Sequence, residues 1–232
     1  MNDVLLFDID PAVSAAFPAI HVGVAVLRGV EVRAADPRVE ELKDRALPAV
    51  RERLAGTHLA ELPRVAAFRR IYRRFGTDPG RYRPSAEALL RRVVNPDKGL
   101  YTVNTVVDVY NVCSAESQLP MAAYDLRTIA FPIRLRFSEE GEPFQGIGQE
   151  VPDTLKRDAL VYADQQGVVC RDFNHRDADR TKVTLETTDL VLFVDGCDAI
   201  TRDELERTLR ATAERLMEHN GGCIEHLFIR PA

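Results

Sequence analysis

Residues 171–182, Arg171-Asp172-Phe173-Asn174-His175-Arg176-Asp177-Ala178-Asp179-Arg180-Thr181-Lys182, hold the densest set of chemically capable groups in this chain of 232 residues, and seven of the twelve are charged. Asp179 could orient a water while Arg180 and Lys182 hold an anionic substrate, the guanidinium fork being suited to bidentate contact. On a strand, His175, Asp177 and Asp179 would share a face, as metal ligands can. Metal sites, however, draw ligands from several segments, and no HxH, HExxH or second carboxylate cluster accompanies this one, so no metal and no cofactor are expected. The competing reading is a solvated surface loop. The segment is longer than an ordinary hairpin connection and lacks Gly and Pro. Loops held by a sheet are where binding groups concentrate.

A second concentration lies in Val103–Ser114. As a helix it would be apolar nearly all round and hence largely buried. Asn104, Asp108 and Asn111 would then fall on one stripe, at i, i+4 and i+7. Buried amides and carboxylates must be hydrogen-bonded. These three therefore either brace neighbouring loops or line a polar pocket.

Other chemistries find little support. No GxSxG marks a nucleophilic serine. Cys113, Cys170, Cys197 and Cys223 are widely spaced with no CxxC, which argues against a zinc ribbon or redox dithiol and fits reduced thiols in a cytoplasmic protein. Gly146-Ile147-Gly148 is followed by no helical pattern, so a dinucleotide site is not supported, and these glycines are expected to allow a close backbone approach. No apolar run is long enough to span a membrane, and the acidic N-terminus does not read as a signal peptide. The net charge of −5 conceals an uneven distribution. Between Arg64 and Arg92, nine arginines stand against Asp78 and Glu87. Such a segment is either a polyanion-binding face or the wet side of amphipathic helices.

The elements that must position these groups read as follows. Val4–Ile9 and His21–Leu27 have strand character. Asp36-Pro37 opens a helix to about Leu54, and a second runs from Leu59 to Phe75. Ser85 is expected to cap a third. From Ile133 onward strands dominate: Ile133–Phe137, Ala159–Tyr162, Val168–Cys170, Asp189–Val194 and Cys223–Ile229. One amphipathic helix, Arg202 to Glu218, interrupts them, capped by Thr201. Helices gather in the first half and strands in the second, predicting an α+β fold with a mixed or antiparallel sheet flanked by helices.

Six blocks stand in order along the chain: Tyr72-Arg73-Arg74-Phe75-Gly76, the run from Arg81 to Leu90, Asn104 to Asn111, Leu119-Pro120-Met121-Ala122-Ala123-Tyr124-Asp125, Tyr162-Ala163-Asp164, and Asp179 to Thr184. Together they resemble the B3/B4 editing module of the phenylalanyl-tRNA synthetase beta subunit, and more closely the free-standing proteins built from that module. The resemblance covers roughly residues 60 to 220. It implies a single domain over 1–232, with residues 1–58 a β-β-α extension and 59–232 the core.

In the synthetase, the module hydrolyses tyrosine wrongly attached to the phenylalanine tRNA. The resemblance thus implies a pocket for the 3′ aminoacyl end of tRNA, with Asp179 as the catalytic carboxylate. Substrate contacts would come from Asn104, Asp108, Asn111, Met121, Ala122, Asn174, His175, Arg180, Thr181 and Lys182, and tRNA contacts from Arg73, Arg74, Arg81 and Arg83. A histidine common in the synthetase module is Ala122 here, and the family glutamate aligns to the shorter Asp179. No class II synthetase motif is present, so the chain is not expected to aminoacylate tRNA. The expectation is a stand-alone, cytoplasmic deacylase of mischarged tRNA. The alternatives are a non-catalytic tRNA- or amino-acid-binding module and a small-molecule amide or ester hydrolase. The sequence sets no oligomeric state.

Overall fold

A computed structural model describes residues 6–231. Two sheets pack against one another through side chains such as Phe7, Tyr162 and Phe193, and the long C-terminal helix covers the second of them. The first sheet has the order β1-β4-β7-β8-β9: β1 (Phe7–Ile9), β4 (Ile133–Phe137), β7 (Leu160–Asp164), β8 (Gly167–Arg171) and β9 (Arg176–Asp177). Only β1–β4 is parallel. The second has the order β11-β2-β10-β3 and is antiparallel throughout: β11 (Cys223–Arg230), β2 (His21–Arg28), β10 (Asp189–Gly196) and β3 (Met121–Asp125). A small hairpin of β5 (Pro143–Phe144) and β6 (Asp153–Thr154) completes the strands.

Local sequence accounts for most of these boundaries. β2, His-Val-Gly-Val-Ala-Val-Leu-Arg, is buried along its whole interior because it lies between β11 and β10 under a helix. The segment expected as an N-terminal extension thus supplies an inner strand of the second sheet. Residues 4 and 5 of the expected first strand lie outside the described residues. After α1 (Pro11–Ala16) and β2 comes α2 (Pro37–Arg53), whose cap Asp36 accepts from Arg38 N at 2.8 Å. The expected helix 59–75 is split into a 3₁₀ turn at Leu59–Glu61 and α3 (Pro63–Arg74), since Pro63 occupies the first helical position. α4 (Ser85–Val93) starts one residue earlier than expected: Pro84 holds the cap position and Ser85 is the first helical residue.

α5 (Thr105–Ser117) packs against α2, α4, β3 and α6 (Arg202–Asn220), while α6 covers β2, β10 and β11. α6 opens on a capping box: Thr201 Oγ accepts from Glu204 N at 3.2 Å, and the Glu204 carboxylate accepts from Thr201 N at 3.0 Å. Among the described residues no helix is long and apolar enough to cross a membrane. The charged segment 171–182 is more ordered than a loop. It turns between β8 and β9, continues as β9, and closes in a 3₁₀ turn at Asp179–Thr181.

Candidate functional site: a cavity between the two sheets

Register places the cavity. β3 forms an edge of the second sheet, with Met121 opposite Val194 and Ala122 opposite Phe193 on β10. The first sheet approaches this edge with Tyr162 on β7, Cys170 on β8 and Asp177 on β9. Tyr124, Tyr162 and Phe193 pack as an aromatic wall, with ring centroids 5.6 Å apart for Tyr124–Phe193 and 5.4 Å for Tyr162–Phe193. The remaining space, about 40 Å³, is lined by Ser85, Met121, Ala122, Asn174, His175 and the carboxylates Asp177 and Asp195, together with these rings, Cys170 and Phe173.

The turn before β9 aims the polar groups. Asp172 and Phe173 both have left-handed backbones (φ 48° and 65°), a conformation uncommon for aspartate and costly for a bulky aromatic residue. It drives the Phe173 ring into the core, stacked on Tyr162 at 6.1 Å, and leaves Asn174 and His175 facing the cavity. The Asn174 amide is then fixed at both ends. Tyr72 OH donates to its Oδ1 at 2.8 Å, and its Nδ2 donates to Asp195 Oδ2 at 2.9 Å. Tyr162 OH donates to the other Asp195 oxygen. Burial pushes the Asp195 carboxyl up to about 7. Asp177 accepts from Tyr124 OH at 2.8 Å, and burial raises it as well.

His175 Nδ1 lies 3.0 Å from the carbonyl oxygen of Arg83. A carbonyl only accepts, so Nδ1 carries the proton and Nε2 of the neutral ring keeps its lone pair. The ring meets Tyr82 edge-on at 5.3 Å. Tyr82 also lines a neighbouring groove of about 630 Å³ formed by residues 75–82, 153–159 and 171–172. Arg81, Lys156 and Arg157 are exposed along it. The arrangement is a small polar-aromatic chamber beside an open groove with exposed cations. It can bind a small polar group and move a proton at its rim.

The structure divides the residues expected from sequence. Met121, Ala122, Asn174 and His175 share the cavity. Asn104 caps α5, accepting from Val107 N at 3.0 Å, and its Nδ2 donates to Val183 O at 3.3 Å. Asp108 forms a buried ion pair with Lys43 at 2.6 Å, and Asn111 sits partly buried on the same helix. Arg180 spends its fork on Asp164, at 3.0 and 2.6 Å, and Thr181 is fully buried. Asp179 pairs with Lys182 at 2.7 Å, which lowers its pKa, and it lines a different depression with Phe144, Gln145 and Gly167.

Of the four arginines expected to meet tRNA, Arg81 lines the groove and Arg73 is exposed on the last turn of α3. Arg74 donates to Ala16 O at 2.6 Å, and Arg83 is partly buried with its carbonyl holding His175. Of the two glycines expected to allow a close approach, Gly146 does so, since a Cβ there would lie 2.7 Å from Arg176 Nε, whereas Gly148 meets nothing within 4 Å and serves a positive φ of 74° instead. Sequence reading did not single out Tyr72, Tyr124, Tyr162 or Asp195 for the cavity. A carboxylate continuing the apolar run Leu190–Val194 is the one local signal for Asp195. No group of three or more His, Cys, Asp or Glu among the described residues is arranged to hold a metal ion.

Two mixed-to-antiparallel sheets flanked by helices around this chamber define an α+β domain of the type found in tRNA-synthetase beta chains. The solved N-terminal fragment of the phenylalanyl-tRNA synthetase beta subunit from Pyrococcus horikoshii superposes with a TM-score of 0.51 over 98% of this chain and 54% of that one, at 15% identity. The profile of the B3/4 domain matches residues 67–221, and the chain belongs to that family. The phenylalanine–tRNA ligase beta subunit of Cutibacterium acnes is 36% identical over 94 residues, 40% of this chain and 11% of the relative. That of Pseudomonas savastanoi pv. phaseolicola is 36% identical over 85 residues, 36% of this chain and 10% of the relative. The matched part thus spans about a tenth of these curated relatives.

Proposed function

We propose that this chain binds the 3′ end of aminoacyl-tRNA and hydrolyses the aminoacyl ester as a stand-alone editing protein. The observation that carries the reading is the contact between chamber and groove at His175 and Tyr82, a small pocket for an acyl group beside a groove of mixed charge in which Arg171 is paired with Asp153 and Asp172 while Arg81, Lys156 and Arg157 are exposed. The relatives are beta subunits of a tRNA ligase, which favours tRNA as the polyanion. In this reading the acyl group enters between Met121 and Asn174 while Arg81, Lys156 and Arg157 meet phosphates.

His175 Nε2 takes a proton from a water as its oxygen attacks the ester carbonyl. The carbon–oxygen bond to the ribose then breaks, and the same proton passes to the ribose oxygen. His175 thereby supplies an imidazole to the cavity wall that carries Ala122. Asp179, ion-paired on another depression, is the competing carboxylate.

Single-turnover deacylation of a panel of charged tRNAs by wild type, His175→Ala, Asp177→Asn and Asp179→Ala tests the proposal. Hydrolysis lost in His175→Ala and retained in Asp179→Ala is the expected result. Loss in Asp179→Ala alone would move the reaction to the other depression. Salt-sensitive tRNA binding without hydrolysis by wild type would leave a binding module. That second reading is favoured by Asp195, whose oxygens accept from Tyr162 OH and Asn174 Nδ2 and whose carboxyl is pushed up to about 7 by burial, so it is held as a fixed polar wall of the chamber.

A further inference from the structure

We infer that the chamber admits only aminoacyl groups with small side chains, of the glycine, alanine and serine class, and excludes aromatic ones; the inference rests on the aminoacyl-tRNA reading and specifies its substrate.

Size carries the argument. A cavity that takes up benzene has a volume on the order of 150 Å³. The space here is about 40 Å³, enough for a few heavy atoms and not for a ring. Its walls are poorly placed to yield. Tyr124, Tyr162, Phe173 and Phe193 are each at most 2% exposed. Their positions follow from strand register: Tyr124 and Phe193 lie on paired strands of one sheet, and Tyr162 opposes Cys170 in the other. Close-packed interiors of this kind transmit strain rather than absorb an added ring. The flexible wall member is Met121, an unbranched side chain that can repack.

Charge agrees with size. No Lys or Arg is among the residues lining the chamber, whereas Asp177 and Asp195 both are. An aminoacyl ester carries an α-ammonium, and a carboxylate in a site shielded from water is its natural partner. With the ammonium held by these acids, the side chain has only the remaining small volume. Serine remains in the class because Asn174 and Ser85 offer polar partners for a hydroxyl.

The test uses amino-acid amides, which keep the ammonium and carry no tRNA, titrated into the full chain by calorimetry. Glycinamide, alaninamide and serinamide are expected to bind, and tyrosinamide and phenylalaninamide are not. Asp195→Asn should weaken the small amides by about tenfold or more. Met121→Ala, which only removes wall volume, should shift preference toward the larger amides, and this variant keeps the test open should Asp195→Asn fold poorly. Equal or tighter binding of tyrosinamide by wild type, or no binding of any amide, overturns the inference. Deacylation of alanyl- and tyrosyl-tRNA, run beside it, separates the two claims. Small amides bound without hydrolysis of any tRNA would retain the chamber's selectivity and remove the tRNA reading. Tyrosyl-tRNA cleaved as fast as alanyl-tRNA would keep the tRNA reading and remove the selectivity.

Discussion

The Asn174 amide donates to the Asp195 carboxylate at 2.9 Å across the junction of the two sheets. Asn174 stands on the turn between β8 and β9, and Asp195 near the end of β10, so this one bond ties the first sheet to the second. Tyr72 on α3 joins through the other end of the amide, and Tyr162 on β7 through the other carboxylate oxygen. A network with every member satisfied specifies a single arrangement, whereas a half-satisfied one is costly. The chamber's shape therefore depends on Asp195 keeping all its partners.

That dependence has a pH signature. Asp195 titrates near 7 when folded, because of burial, and near 4 when unfolded. Between those values the folded state holds a proton that the unfolded state has released, so stability falls as pH rises through the window. Over roughly 3 units the loss is at most about 4 kcal/mol. Buried Asp177, whose pKa is also raised, acts in the same direction. Asp195→Asn, which cannot ionise, should flatten the decline. Denaturant melts at pH 5, 6, 7 and 8 measure it, and equal slopes in wild type and variant would refute the assignment.

Asp108 should behave as a structural anchor. It pairs with Lys43 at 2.6 Å with both side chains under a tenth exposed, and it accepts from Val103 N at 2.9 Å. Removing one partner of a buried pair costs about 3–5 kcal/mol. Lys43 also meets Glu40 at 2.8 Å, which places Asp108→Ala near the lower end. A melt should show that loss, while amide binding to whatever variant remains folded is unchanged. Selective loss of ligand with unaltered stability would return Asp108 to the binding set.

Two arginines should separate cleanly. Arg180 donates to Asp164, Thr128 O and Gly167 O, so Arg180→Ala is expected to lower stability by about 1–3 kcal/mol and leave the salt dependence of tRNA binding as it was. Arg81 is exposed in the groove, so Arg81→Glu should leave the melt unchanged, weaken binding, and reduce the slope of log affinity against log salt by about 1. Filter binding across a salt series checks both. Equal salt slopes for wild type and Arg81→Glu would remove the groove from the interface.

The pattern of the sequence made the framework legible and left the chamber largely hidden, for a physical reason. Val-rich alternation located β2 and β10, and Thr201 with Glu204 located the start of α6, because these signals are local. β3 was readable only as a loop: Met-Ala-Ala-Tyr-Asp has no β-branched residue and owes its extended form to pairing with β10. The twelve-residue charged segment contributes Phe173, Asn174, His175 and Asp177 to the chamber's lining. Which of its carboxylates face the chamber follows from the turn at Asp172 and Phe173 together with the β8–β9 register that sets Asp177 opposite Cys170, tertiary constraints that residue type does not announce. Asp179 was the more conspicuous acid, beside Arg180 and Lys182. Those cations are what occupy or neutralise the local charge, with Lys182 taking Asp179 itself.

The cysteines give a last prediction that probes whether the chamber opens. Cys113, Cys170 and Cys197 are buried and Cys223 is exposed. Burial pushes the three buried thiols up, which suppresses the reactive thiolate. A small thiol reagent should therefore label Cys223 at once and the others only as the protein opens. Cys170 lines the chamber, whereas Cys113 lies at the α5–α6 interface and Cys197 just beyond β10. Labelling through global unfolding would modify all three at one rate. Opening of the sheet junction alone would expose Cys170 first, and a bound small amide would then slow Cys170 without changing Cys113 or Cys197. A rigid chamber predicts the single common rate, measured by mass spectrometry of timed aliquots. Early, amide-protected loss of Cys170 would mean that the space of about 40 Å³ is one state of a wider pocket. In that case the exclusion of aromatic side chains would have to come from the energy of opening the junction rather than from fixed walls.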